Sequence, residues 1–172
     1  METRDDFNTK EDSFALLLLE EARKRGLCVA FAESCTGGLV CERLTAIPGS
    51  SEVAAGGVVS YSNDVKKRVL GVRKETLDTF GAVSVETARE MAKGVLEITG
   101  ADVAVSVTGI AGPGGGSDDK PVGTVCFGVA YLGREHAERK NFDSTLSRDE
   151  IRTLASDHAL TLAAFAVKEG VF

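Results

Sequence analysis

Ser34 has the setting of a nucleophile, standing in Glu33-Ser34-Cys35-Thr36-Gly37-Gly38, small and polar residues between an apolar run and a helical pattern. A serine nucleophile needs a base. The two histidines, His136 beside a hairpin turn and His158 inside the last helical pattern, share no loop with Ser34, so a Ser-His-Asp arrangement is poorly supported. A lysine can serve instead, because an amine desolvated near other donors loses proton affinity and becomes a usable base near neutral pH. Lys66 and Lys67 are the lysines nearest such a setting, and Tyr61 could relay or orient the proton.

Each residue also has a plainer reading. Ser34 before a helix suits a turn or cap. Cys35 is either a rival nucleophile or a small buried apolar residue. Lys66 suits a solvated helix face, Tyr61 a core edge and Thr108 a strand end. The run from Thr108 to Pro121, with Gly109, Gly112 and Gly114-Gly115-Gly116, is either a flexible loop or an anion cradle in which missing side chains let backbone amides approach phosphate. It matches neither the phosphate loop of nucleotide hydrolases nor a dinucleotide fingerprint, so ATP and NAD lack their usual marks.

The elements that must position these residues follow from periodicity. Residues 12–25 read as an amphipathic helix stopped by Gly26, 27–32 as a buried strand, and Leu39 to about Leu44 as a helix closed by Ile47-Pro48-Gly49. A glycine-interrupted strand over 53–62 leads into a short helix over 65–70, started by Asn63-Asp64. Ser84 caps a helix running to about Thr99, and 103–107 is the next buried strand. Segments 122–131 and 137–142 form an antiparallel hairpin, and Ser147 with Glu150 gives a capping box ahead of a helix to about Val167. The fold expected is α/β, a three-layer α/β/α sandwich with a mixed, mostly parallel sheet, since parallel strands need helical crossovers. Ligands in such sheets sit at the carboxyl ends of strands, where the loops after Ala32, Ser62 and Val107 would converge.

At 172 residues one domain is expected over 1–172, with 1–11 as a polar tail. The start lacks the basic and apolar regions of a secretory signal, and no apolar run reaches the roughly 20 residues a membrane helix needs, so a cytoplasmic protein without membrane association is expected. Cys28, Cys35, Cys41 and Cys126 have neither C-x-x-C spacing nor a nearby histidine, so neither disulfides nor a metal site is expected. The net charge of −6 and scattered basic residues argue against nucleic acid as a partner.

Five ordered blocks, AESCTGGLV (32–40), LTAIPGSS (44–51), GGVVSYSNDVKKRVLGV (56–72), GAVSVETAREMAKG (81–94) and SVTGIAGPGGGSDDKPVGTV (106–125), closely resemble the CinA C-terminal domain family across about residues 12–165. The resemblance implies an α/β/α sandwich and a nicotinamide-nucleotide amidase without a cofactor, hydrolysing nicotinamide mononucleotide to nicotinate mononucleotide and ammonia. It implies Ser34 as nucleophile, with Tyr61 and Lys66 as the pair that activates it. It places Ser51 and Thr108 in the substrate pocket and Arg148 on the nucleotide, although S-T-L-S-R-D-E departs from the family's G-D-R or G-N-R text there. Thr36, Gly37, Gly109, Gly112 and Gly115 complete the expected substrate-binding set, with the phosphate against loop 109–116. A stand-alone form without the family's larger N-terminal domain, and a homo-oligomer, are also expected. The alternatives are a non-catalytic nucleotide-binding module linked to competence or DNA damage, and a thiol amidase using Cys35.

Overall fold

The computed structural model describes residues 12–170, so the expected tail at 1–11 lies outside the described residues. Helix α1 (Ser13–Arg25) starts at Asp12, whose carboxylate accepts from the amides of Phe14 and Ala15, and stops at Gly26 in the left-handed conformation. Strand β1 (Val29–Glu33) is buried along its whole length and leads through a tight turn to α2 (Leu39–Thr45). A 3₁₀ turn (Ser50–Glu52) precedes β2 (Ala54–Val59), followed by α3 (Asn63–Leu70), α4 (Lys74–Phe80) and α5 (Val85–Thr99). Strands β3 (Val103–Gly109), β4 (Thr124–Tyr131) and β5 (Arg134–Asn141) then lead to α6 (Arg148–Glu169). The Ser147–Glu150 capping box is formed as expected.

The sheet order is β2-β1-β3-β4-β5. β1 pairs in parallel with β2 and β3, while β4 is antiparallel to both its neighbours. Four strands therefore run one way and β4 against them, the mixed, mostly parallel sheet of an α/β/α sandwich. The chain leaves β1 for one neighbour through α2 and reaches the other after α5. The carboxyl end of β1 is thus a topological switch point, where loops part and leave a cleft.

The two sheet faces differ in side-chain size, and that difference sets the distance of each helix layer. Val29, Phe31, Val103, Val105, Val107 and Phe127 pack on the face covered by α1, α2 and α6. The opposite face carries Ala30, Ala32 and Ala104 against Leu70, Met91 and Val95. Small residues let α5 lie low: Ser106 Oγ donates to the Ala88 carbonyl at 2.5 Å, and a Cβ at Gly128 would stand 2.3 Å from that same oxygen. Where α5 crosses α3, a Cβ at Gly94 would stand 1.9 Å from the Leu70 carbonyl oxygen. The end of α3 is thereby seated directly on α5.

The observed elements depart from expectation at several places, among them β2, which ends at Val59 instead of Ser62, and β5, which begins at Arg134 instead of Ala137. β3 continues through Thr108 and Gly109, because both remain paired to Cys126 and Val125 of β4. Glu33 ends β1 instead of opening the loop. Helix α4 carries no apolar stripe, with only Thr76 and Leu77 buried, and is tied to α5 by Glu90, which holds Arg73 and accepts from Thr76 Oγ1 at 2.7 Å.

Gly94→Ala tests the α3–α5 contact. The added methyl should lower unfolding free energy by about 1–3 kcal/mol through overpacking, despite alanine's better helix propensity. Urea denaturation measures this, and an unchanged or raised midpoint would contradict the crossing described.

Candidate active site

Ser34 follows the last residue of β1, and its amide donates to the Val107 carbonyl at 2.9 Å, fixing it between the carboxyl ends of β1 and β3. Its own carbonyl accepts from Gly37 at 3.1 Å, closing a turn in which Gly37 and Gly38 both take positive φ. Helix α2 begins on Gly38, which has no side chain to cap it. Glu33, 1% exposed, does so from the strand: one carboxylate oxygen accepts from Gly38 and Val40 at 2.9 and 3.1 Å, the other from Cys41 at 2.9 Å. An anion at the helix amino end is favourable and here keeps the Ser34 turn in one shape.

Lys66 lies on α3, which starts at Ser62, whose hydroxyl accepts from the Val65 amide. It is 1% exposed, and its Nζ donates to Ser34 Oγ at 2.9 Å and to the Ser60 carbonyl at 2.6 Å. Ser60 is itself anchored on the Glu33 carbonyl through its amide at 2.7 Å. Both contacts of the amine are to neutral oxygens. With no carboxylate against it among the described residues, burial pulls the Lys66 amine down from its ordinary 10.5 to about 8. An amine of that kind is partly neutral near pH 8 and, in its neutral form, can accept the Ser34 proton across the same contact.

Ser34 and Lys66 open into a cleft of about 210 Å³, also lined by Cys35, Tyr61, Thr108 and Arg148. Tyr61 is 63% exposed, and its hydroxyl accepts from Arg148 Nη2 at 2.9 Å, while Arg148 Nη1 donates to the Gly112 carbonyl at 2.7 Å. Arg148 thus bridges the tyrosine and the glycine-rich loop. Thr108 Oγ1 donates to the Ala82 carbonyl at 2.8 Å and fastens the far wall.

Of the expected substrate-binding residues, Thr108, Gly109 and Arg148 line this cleft. Thr36 and Gly37 continue the turn after Cys35, with the Thr36 carbonyl accepting from Arg152 at 3.0 Å. Gly112 turns its carbonyl to Arg148, and its positive φ and the 2.7 Å from an added Cβ to Val122 Cγ1 give it a packing reason to be glycine. Gly115 is exposed on the same loop. Ser51 is not brought to the cleft. Since β1 and β2 are parallel, with Val29 beside Ala54 and Glu33 beside Val59, a residue preceding β2 lies at the opposite end of the sheet.

Cys35 is 5% exposed, and burial pushes its thiol up to about 12, which keeps it protonated. The histidines gather elsewhere. His158 pairs with Glu138 of β5 and rests edge-on against Phe127, and His136 lies 3.6 Å from the same carboxylate. Glu33 and Ser60 are the residues that spacing did not single out. An acid ending an apolar strand shortly before a glycine-started helix was the available signal for Glu33.

The family model described as CinA C-terminal domain matches residues 11–166. A CinA-like protein of Chlorobium limicola is 57% identical over 122 residues, covering 71% of this chain and 28% of that protein. A CinA-like protein of Chloroherpeton thalassium is 63% identical over 111 residues, covering 64% of this chain and 26% of the relative. The chain therefore spans about a quarter of the length of these curated relatives. The crystal structure of the competence/damage inducible protein CihA from Agrobacterium tumefaciens superposes with a TM-score of 0.86 at 45% identity, covering 90% of this chain and 93% of that one. By the near-complete match to the family model and this agreement in fold, the chain belongs to the CinA C-terminal domain family.

Proposed function

We propose that this chain is an amidohydrolase that removes the carboxamide nitrogen of nicotinamide mononucleotide through a Ser34 acyl-enzyme. The observation that carries the reading is the buried Lys66 amine, 2.9 Å from Ser34 Oγ and lowered to about 8. In the first half-reaction neutral Lys66 takes the Oγ proton as oxygen attacks the carboxamide carbon. The protonated amine then returns that proton to nitrogen as the C–N bond breaks and ammonia leaves. In the second half-reaction Lys66 takes a proton from water as its oxygen attacks the ester, then returns that proton to Ser34 Oγ as the C–O bond breaks and the nicotinate product leaves. The backbone amides of Cys35 and Thr36 follow Ser34 in the turn and are the donors that could meet the oxyanion.

The cleft's size supports a ring-sized amide. A volume of about 210 Å³ falls below the roughly 300 Å³ at which pockets begin to enclose whole drug-sized ligands. The nicotinamide ring fits inside, with Arg148 against the ribose, and the phosphate lies beyond this cleft. The protonated Cys35 thiol supports oxygen over sulfur as nucleophile. A cytoplasmic setting is part of the proposal, supported by four cysteines that are all free thiols.

Ammonia release from nicotinamide mononucleotide, measured with chelator present, should fall by at least about a thousandfold in Ser34→Ala and again in Lys66→Ala. Cys35→Ala should retain most of it. Saturable binding without release by the native protein would contradict the enzyme and favour a binding module. The rate should also follow the Lys66 proton. Below about pH 8 the amine is charged and cannot act as a base, so kcat/KM should fall tenfold per pH unit on the acid side and level off above it. A flat profile from pH 6 to 9 would contradict Lys66 as the base.

A further inference from the structure

We propose that a second cleft, beside the ring pocket and flanked by Lys120 and Arg139, receives the 5′-phosphate of the substrate. The inference rests on the amidase reading only for the identity of the group in the ring pocket. The segment Phe80–Ser84 divides the two spaces. Ala82 and Val83 line the ring pocket, whereas Phe80, Val83 and Ser84 line the second cleft, of about 220 Å³, so Val83 is a wall of both.

The charges in this second cleft are held ready without being neutralised. Among the described residues most lysines and arginines lie beside a carboxylate, Arg23, Arg43, Arg73 and Lys74 among them. Lys120 and Arg139 have no carboxylate partner among the described residues. Lys120 Nζ donates to the Phe80 carbonyl at 2.7 Å. Arg139 donates to the Asp119 carbonyl at 2.9 Å, to Asn141 Oδ1 at 2.9 Å and to Thr124 Oγ1 at 3.3 Å. Neutral acceptors fix where the cations sit and leave their charge for a ligand. Glu86, the carboxylate lining this cleft, forms an ion pair with neither. In a protein of net charge −6, two such cations beside the reactive pocket select for an anion.

The amino end of α5 adds to this field. Ser84 Oγ satisfies the Thr87 amide, and the helix dipole directs partial positive charge into the cleft that Ser84 and Val85 line. Lys120 is also close to the wall that separates the pockets, since a Cβ at Gly81 would stand 3.6 Å from its Nζ. Arg148, by contrast, lines the ring pocket itself. Arg148 therefore serves the ring and ribose, and Lys120 with Arg139 serves the phosphate that the ring pocket is too small to hold.

The test is selectivity between nicotinamide mononucleotide and its riboside, which differ by that phosphate. In Lys120→Met and in Arg139→Met the preference for the nucleotide, as a ratio of kcat/KM values, should drop roughly tenfold or more, through KM, with kcat for the nucleotide within about twofold of native. A ratio that stays at the native value, or equal losses on both substrates from a loosened 110–121 loop, would overturn the phosphate site. If the native protein turns over neither compound, the amidase reading fails by itself, and calorimetry with ribose 5-phosphate and ribose tests the cleft. Phosphate-dependent binding that both variants weaken sustains the proposal, and binding unaffected by either variant overturns it.

Discussion

A lysine amine kept dry against a serine hydroxyl is the constraint around which this structure is arranged. Lys66 carries a charge at neutral pH that no carboxylate among the described residues offsets, and the arrangement is unfavourable for stability. The native group titrates near 8 and the unfolded one near 10.5, a difference on the order of 3 kcal/mol. That cost is fully present below pH 8, where both states are protonated, and fades as pH rises from 8 to 10.5 and the native amine alone has lost its proton. Stability therefore increases with pH through that window. A buried aliphatic side chain would be better for folding, and the persistence of the amine beside Ser34 is intelligible as chemistry.

The rest of the fold can be read as what holds that contact. Glu33 lies at the centre of it. Its side chain closes the amino end of α2 and so shapes the turn carrying Ser34, while its carbonyl anchors Ser60, whose own carbonyl receives Lys66 Nζ. Nucleophile and base are thus referred to one residue at the end of one central strand. From the other side, α3 is seated on α5 at Gly94, and α5 lies low on the sheet because alanine, serine and glycine face it. Large residues on the opposite face give α1, α2 and α6 the main hydrophobic core and leave the reactive end to short, hydrogen-bonded turns.

Much of this architecture was legible because its signals are local. Gly26, Gly100, Ser84 and the Ser147–Glu150 pair mark helix ends through bonds spanning a few residues, and each cap forms where spacing places it. What was not legible depends on distant partners. Helix α4 buries only Thr76 and Leu77, too little to show as a periodic stripe, and is tied down by Glu90 of α5. Thr108 and Gly109 read as loop because their glycine-rich neighbourhood does, yet β4 keeps them in the sheet. Gly109 would have been a hint, since its close approach to Val125 and Thr124 leaves no room for a Cβ. At the site, family blocks pointed to Ser34, Tyr61 and Lys66 together, and the fold gathers all three around one cleft, with Tyr61 held at its mouth by Arg148. Ser51 belongs to the same blocks but lies before β2, where parallel pairing carries it to the other end of the sheet. Glu33 and Ser60 escape motif reading because they act through a carboxylate reaching across a turn and through backbone carbonyls.

The most direct measurement is the titration of Lys66 itself, followed by side-chain nitrogen resonances in the intact protein and assigned by comparison with Lys66→Met. A midpoint near 8, well below that of the exposed lysines, is the result this account predicts. A midpoint at the ordinary value near 10.5 would show an amine still solvated or paired with an anion, and would remove the physical basis for Lys66 as the base that activates Ser34.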